Sequence, residues 1–228
     1  MQIVAFTGAG ISAESGLSTF RGQGGLWENQ PVHKVASSEA FKQDPELVMR
    51  FYNARRKQLL EVEPNPGHQA LAEMEAFANV KVVTQNVDDL HERAGSSQVL
   101  HLHGELLKVR TIDAPEVIYP WTQDLQVGQT DAEGRLLRPH IVWFGEAVTE
   151  MPKALEWVQE ADLLIVCGTS LQVYPAAGLM YETKPGTKIY YIDPDPDFIH
   201  PKRGVETRAE TASLGLPKLK DELKNRCL

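Results

Sequence analysis

The chain has 228 residues, 42% of them hydrophobic and 24% charged, enough to bury one substantial core without covalent staples. A net charge of −8 and a pI near 5.4 argue against broad nucleic-acid binding, which needs a basic face to displace counterions, although a local basic pocket remains compatible with them. Two cysteines, Cys167 and Cys227, provide neither a disulfide framework nor a cysteine-rich metal site, and no apolar run reaches the ~20 residues that span a bilayer.

The opening segment, MQIVAFTGAG, has no basic stretch before its apolar residues and runs straight into a glycine turn. It reads as a first strand and not a signal peptide, with the cytoplasm as default compartment. That strand, Ile3–Thr7, leads into Gly8-Ala9-Gly10-Ile11-Ser12-Ala13, a G-x-G-x-x-A pattern. Glycines at a strand-to-helix turn let backbone N–H groups approach a pyrophosphate, helped by the positive end of the helix. The same pattern fits a dehydrogenase, a flavoprotein or a plain tight turn. A polar loop, Glu14-Ser15-Gly16-Leu17-Ser18-Thr19-Phe20-Arg21-Gly22, then stands where a dehydrogenase would continue its helix, and no ribose-binding acid follows on schedule.

Residues 23–63 contain a loop and a strong helix, with Asp44 as N-cap, Pro45 at the first helical position and a pattern running to about Leu60. Steps of i+4, i+7 and i+11 from Val48 give Tyr52, Arg55 and Leu59 on one stripe. An arginine on an apolar stripe is costly unless an anion meets it. Tyr52 and Arg55, one turn apart, could grip a carboxylate through a phenol and a guanidinium fork. The alternative is an ordinary salt bridge for Arg55 and a solvated Arg56.

A helical pattern over Gly67–Phe77 precedes a strand over Val80–Gln85, which ends in Thr84-Gln85-Asn86-Val87-Asp88-Asp89-Leu90-His91. Amide and carboxylate side chains there suit a carboxamide and a ribose, although Asp88 could equally cap the helix holding Leu90 and Ala94. Val99-Leu100-His101-Leu102-His103-Gly104 places two histidines two apart on an expected strand. One of them is expected to serve the cleft, and no metal site is expected from the pair. His103 abuts a glycine, where backbone can approach a ligand. Residues 105–140 mix Pro, Gly and Asp with short apolar pieces such as Val117-Ile118-Tyr119 and Trp121. Together with 23–63 they read as a small unit inserted into a nucleotide-binding part of about 1–22, 64–104 and 141–228.

A helix over Pro152–Glu160 and strands over Leu163–Gly168 and Ile189–Asp193 complete the alternation, which implies an α/β fold with a Rossmann-like, doubly wound parallel sheet. Such sheets bind ligands at the carboxyl ends of their strands. All four strands end in distinctive residues: Thr7-Gly8-Ala9-Gly10, Thr84-Gln85-Asn86, Gly168-Thr169-Ser170 and Asp193. The tail Pro217–Leu228 reads as a charged terminal helix with a solvated face.

In order, GAGIS, TQNVD-x-LH-x-x-AG, HG, VWFGE and GTS-x-x-VYPAA resemble the sirtuin family from residue 3 to about 181. The segments Ser-Thr-Phe-Arg and His-Gly-Glu-Leu-Leu-Lys-Val-Arg are most similar to its bacterial CobB-type deacylases. The resemblance implies NAD as cofactor. Gly8, Ala9, Gly10 and Ser12 would hold the pyrophosphate and neighbouring ribose, and Gly168, Thr169 and Ser170 would close the other side. Gln85 would contact the nicotinamide ribose, Asn86 and Asp88 the carboxamide. Thr19, Phe20 and Arg21 would belong to the cofactor loop, Asp193 to the adenosine ribose and Ala212 to the adenine pocket.

The implied chemistry is attack of the acyl oxygen of a modified lysine on the ribose C1′ as nicotinamide leaves. His103 then acts as general base on a ribose hydroxyl, and the products are free lysine, nicotinamide and O-acyl-ADP-ribose. Val142, Phe144 and Gly145, within the VWFGE segment, would pair with the protein or peptide substrate as an added strand. Tyr52 and Arg55 resemble the signature of desuccinylating and demalonylating members, and Ala36 the small residue that widens their pocket. Acidic acyl groups are therefore expected, with acetyl also processed.

The chain departs from the family in one large respect. Most sirtuins carry four cysteines around a structural zinc, whereas residues 105–140 contain none, and neither His140 nor the scattered acids supply a set at ligand spacing. No zinc is expected, and Val117, Ile118, Tyr119, Trp121 and Leu125 are expected to pack where the metal module would be. Thr19 also stands where many members have an acid, and Asp193 where an asparagine is usual. The rival functions are NAD-dependent protein ADP-ribosylation and a non-catalytic NAD or acyl-lysine binding module. The complete Asn86, Asp88 and His103 set argues against the binding module.

Overall fold

The computed structural model describes residues 1–18, 26–27, 30–196 and 204–227. In chain order it places β1 (Gln2–Thr7), α1 (Gly10–Ala13), β2 (Leu26–Trp27), β3 (Gln30–Pro31), α2 (Val32–Val35), α3 (Ser38–Gln43), α4 (Pro45–Leu60), α5 (Pro66–Met74), β4 (Asn79–Thr84) and α6 (Leu90–Arg93). Then come β5 (Val99–His101), β6 (Gly104–Thr111), β7 (Ile118–Pro120), β8 (Leu137–Ile141), α7 (Met151–Glu160), β9 (Leu163–Cys167), a 3-10 turn (Ala176–Tyr181), β10 (Lys188–Ile192), β11 (Val205–Arg208) and α8 (Ala212–Cys227).

The six-stranded sheet runs β11-β10-β9-β1-β4-β5, and every neighbouring pair is parallel. Counted within the sheet from β5, this is the doubly wound order 3-2-1-4-5-6, whose direction of winding reverses between β1 and β9. The alternation along β1 shows why the sheet is covered on both faces. Ile3 and Ala5 join a core with α5 and α8, while Val4 and Phe6 join one with α7 and the 3-10 turn.

The predicted strands and the first long helix lie within a residue or two of their expected bounds. In α4, Asp44 accepts from the Leu47 N–H at 2.9 Å and Pro45 opens the helix. The stripe Val48, Tyr52, Arg55 and Leu59 is buried throughout. Arg56 departs from the solvated alternative: it is 1% exposed, and its guanidinium donates to Leu106 O, Gln123 O and Asn53 Oδ1.

A second, antiparallel sheet, β7-β6-β8, packs on α4. Of the five residues expected to fill this region, Leu125 is buried and Tyr119 and Trp121 pack beside it with Met49, Val109 and Leu137, whereas Ile118 is exposed and Val117 lies outside the cluster. The terminal helix also differs from expectation. It begins five residues earlier, with Pro217 inside it, and turns Leu216, Leu219 and Leu223 into the main core, so only its other face is solvated. No helix among the described residues is long and apolar enough to cross a membrane.

Candidate active site

The loops after β1 and β9 meet at the reversal point. Gly8 N–H donates to Cys167 O at 3.1 Å and Gly10 N–H to Gly168 O at 2.8 Å. A Cβ on Gly8 would lie 2.7 Å from Thr169 Cβ, and one on Gly10 2.7 Å from Gly168 Cα. Gly168, at φ +63°, would press a Cβ into the Ile11 amide. These glycines therefore serve first to bring backbone against backbone, and two N–H groups expected to face a pyrophosphate bind loop carbonyls instead. The helix that follows, α1, is a single turn of four residues and contributes little of the expected dipole.

Above this junction opens a cleft of about 1320 Å³ of empty space, its open mouth included. Ala9, Gly10, Ser12, Gln85, Asn86, Asp88, Gly168, Thr169 and Ser170 line one end, His103 the middle, and Ala36, Tyr52, Arg55, Val142, Phe144 and Gly145 the other. Thr19, Phe20 and Arg21 lie outside the described residues. Gly8 sits beneath the floor. Asp193 and Ala212 do not reach the cleft: Asp193, 1% exposed after β10, accepts from Asp195 N–H, and Ala212, 4% exposed at the start of α8, packs on Gly67.

The polar end is a directed network. His68 Nδ1 accepts from the Asn65 N–H at 3.3 Å, so the proton of its neutral ring sits on Nε2 and points at Ser12 Oγ, 3.4 Å away. Burial lowers the His68 pKa to about 4, which keeps that ring neutral. Asn86 Nδ2 also donates to Ser12 Oγ at 3.1 Å, and the hydroxyl passes its own proton to Asp88 Oδ2 at 3.0 Å. The other Asp88 oxygen accepts from the Leu90 N–H at 3.3 Å, but the cap position of α6 belongs to Asp89, so Asp88 is not the helix cap weighed as an alternative. Burial raises the Asp88 pKa against these bonds.

Gln85 Oε1 accepts from Thr169 Oγ1 at 2.9 Å. Its Nε2 is buried without a hydrogen-bond partner among the described residues, an amide donor that a ligand hydroxyl would satisfy.

The two histidines do not share a strand. β5 ends at His101, Leu102 is buried, and His103 sits in the turn before Gly104, whose φ of +83° lets β6 start against the His140 carbonyl. Both rings nonetheless hold the loop after β4. His103 Nδ1 lies 3.0 Å from Gln85 O and His101 Nδ1 2.9 Å from Asn86 O, and since a carbonyl only accepts, both Nδ1 atoms carry protons. Only His103 faces the cleft. Burial lowers its pKa, opposed by the bond to Gln85, so the neutral ring presents the Nε2 lone pair. His101 lies outside the cleft with Nε2 2.8 Å from Glu92 Oε1.

At the far end, Val142 N–H donates to His103 O, Phe144 N–H to Ala36 O, and Trp143 N–H to Glu146 Oε2, each at 2.9 Å. These three groups face the protein, so an added strand would meet Gly145, at φ +89° with open space beside its Cα, and the segment's carbonyls. Phe144 stands half-exposed at the mouth. Sequence reasoning placed Trp143 and Glu146 in the segment expected to pair with substrate, and did not foresee that Trp143 would bond Tyr52 and Glu146 would pair with Arg138. It missed His68 altogether, whose only local signal is its place three residues after the helix-capping Asn65.

Residues 8–175 match the Sir2 family model. The chain is 51% identical over 227 residues to an NAD-dependent protein deacylase of Bacteroides thetaiotaomicron, covering 97% of each protein. A solved Sir2 homologue in complex with NAD superposes with a TM-score of 0.89 at 38% identity, covering 100% of this chain and 91% of the other. A second, a Sir2 protein with a deacetylated p53 peptide and 3′-O-acetyl ADP-ribose, gives 0.80 at 29% identity, with 97% and 93% covered.

Proposed function

The chain belongs to the Sir2 family and is an NAD-dependent protein deacylase, and from that premise we propose which residues bind, which react and which acyl groups they favour. The observation that carries the reading is the position of His103, a neutral ring with its Nε2 lone pair in one cleft shared by the Gln85–Asp88 end and the Tyr52–Arg55 end.

The residues present fit NAD. Gln85 Nε2 would donate to a ribose hydroxyl, Asn86 and Asp88 would orient the carboxamide, and Ala9, Gly10, Ser12, Thr169 and Ser170 would line the phosphates and ribose. Bound NAD supplies an electrophilic ribose carbon on loss of nicotinamide. His103 takes the proton of a ribose hydroxyl on Nε2, while Gln85 O holds the opposite edge of the ring in place.

Acyl choice falls to Ala36, Tyr52 and Arg55. A buried phenol and a guanidinium one turn apart offer a carboxylate charge-assisted hydrogen bonds, and Ala36 leaves room for a longer chain. Nearby, Arg110 and Arg138 share one carboxylate, Glu146, so the surroundings of this end carry more positive than negative charge. We read the enzyme as removing succinyl and malonyl groups, and also acetyl, from lysines of proteins held along Val142–Gly145, in the cytoplasm and without zinc. The small unit of 23–63 and 105–140 would supply the acyl end of the cleft.

The test is a mass-spectrometric assay with NAD on matched acetyl-, succinyl- and malonyl-lysine peptides. NAD-dependent release of O-succinyl-ADP-ribose supports the whole reading. Acetyl removal alone discards the acidic-acyl part. ADP-ribose transferred to protein with no need for acyl-lysine favours the rival transferase.

A further inference from the structure

Tyr52 does not stand alone at the acyl end. Its Oη receives a hydrogen bond of 3.0 Å from the indole Nε1–H of Trp143, a residue 91 positions away in the chain and fully enclosed at 2% exposure. The Trp143 ring is itself fixed from several directions. The Arg138 guanidinium lies over it at 3.4 Å from the centroid, and Phe41 packs at 5.0 Å. Arg138 in turn donates to both Glu146 oxygens, at 2.6 and 3.2 Å, and to Ile141 O at 2.9 Å. Glu146 also accepts from Ser38, Arg110 and the Trp143 main chain, so each of its oxygens is engaged by at least two donors. A rigid relay thus runs from Glu146 through Arg138 and Trp143 to the phenol of Tyr52.

We propose that Trp143 is a specificity-determining positioning residue, which acts through Tyr52 to favour acidic acyl groups over acetyl. The inference rests on the acyl reading above and adds a residue to it. An N–H bond into a phenol oxygen fixes where that oxygen sits and polarises its O–H, making it a stronger donor toward an anion in a site of low dielectric. A carboxylate gains from both effects, and the methyl of an acetyl group from neither. Burial keeps the Tyr52 phenol protonated.

The experiment compares wild type, Trp143→Phe, Tyr52→Phe and the double variant for kcat/KM on succinyl- and acetyl-lysine peptides of one sequence. Phenylalanine at 143 keeps a six-membered ring under Arg138 but removes the second ring of the indole together with its Nε1–H. The unfolding temperature therefore measures the packing lost, and the succinyl-to-acetyl ratio, in which a general loss cancels, reads the hydrogen bond. The succinyl-to-acetyl ratio is expected to fall about five- to tenfold in Trp143→Phe, the loss of one hydrogen bond. It should fall little further when that change is added to Tyr52→Phe, because the indole acts only through the phenol. If wild type prefers succinyl and Tyr52→Phe abolishes the preference while Trp143→Phe leaves it intact, the Trp143 role is overturned and the acyl reading stands. Additive losses in the double variant overturn it in the same way. A ratio that Tyr52→Phe does not move overturns the acyl reading, and the Trp143 role with it.

Discussion

His103 donates from Nδ1 to the main-chain oxygen of Gln85 across 3.0 Å, and this contact decides which ring nitrogen can act as base. With the proton held on Nδ1, the lone pair is left on Nε2, on the cleft side. Replacing His103 by Ala is expected to abolish turnover, a loss in the range of 10²–10⁴-fold for one general base. NAD binding should stay measurable by calorimetry, since the Gln85–Asp88 end remains. Near-normal turnover would remove His103 from the mechanism.

The same residue sets an acid limit on activity. Burial lowers the His103 pKa, so the ring stays neutral, and competent as a base, to a lower pH than a free histidine near 6.5. As pH falls, kcat/KM is expected to decline with a midpoint below that ordinary value. A midpoint above 7 would point to a different base.

Arg55 lies on the buried stripe of α4 and lines the cleft beside Tyr52. Methionine there keeps the aliphatic stem and removes the charge. Arg55→Met should lower kcat/KM for succinyl-lysine by about 10- to 100-fold, the worth of a charge-assisted bond of about 1.5–3 kcal/mol. Acetyl-lysine should lose far less. Equal losses on both peptides would show that Arg55 only supports the fold.

Much of this site could be read from local signals. Strands of β-branched residues ending in polar clusters marked the carboxyl edge of the sheet, and the 3.6-residue period put Tyr52 and Arg55 on one face. What could not be read depends on contacts between distant segments. Nothing near Gly10 says that it will touch Gly168, and nothing near Arg56 says that the carbonyls of Leu106 and Gln123 will satisfy its charge in the core. The single strand expected through His101 and His103 failed for a similar reason. The left-handed Gly104 redirects the chain toward β8, and only β8 shows why it must.

The connection from β7 to β8, which passes from one side of β6 to the other, turns around Asp131. Its carboxylate accepts from Tyr119 Oη at 3.1 Å, Arg135 Nε at 2.7 Å, and the N–H groups of Glu133 and Arg135 at 3.0 and 2.9 Å. Among the described residues no group of three or more His, Cys, Asp or Glu could hold a metal ion. On the proposed zinc-free reading, which rests on the lack of cysteines in residues 105–140, metal analysis of the purified enzyme should find substoichiometric zinc, and EDTA should leave the unfolding temperature unmoved. Asp131→Ala should lower that temperature in both conditions alike. One tightly held zinc per chain would overturn the zinc-free reading.

His101 ties the fold to pH through Glu92. Burial opposes a charge on His101, but the bond and field of Glu92 outweigh it and raise the pKa, with Asn86 O and Glu105 adding to the rise. On Glu92, burial raises the pKa, and the hydrogen bond and charge of His101 bring it below the usual value. The signs follow from linkage. A raised histidine contributes fully below its unfolded pKa near 6.5, and that contribution is lost as pH rises through the folded value. A lowered glutamate contributes above its unfolded pKa, and its share is lost as pH falls through the folded one. Wild type should therefore exceed His101→Gln in unfolding temperature most clearly between about pH 5 and 6.5, with the gap narrowing on the alkaline side. Glu92 is 39% exposed, so solvent screens part of the pair, and about 1–2 kcal/mol, or roughly 2–8 °C, is the expected maximum. Because His101 also holds Asn86 O, the variant should raise KM for NAD. A gap in unfolding temperature that stays constant from pH 5 to 10 would mean that the ring acts by packing alone, whatever charge it carries.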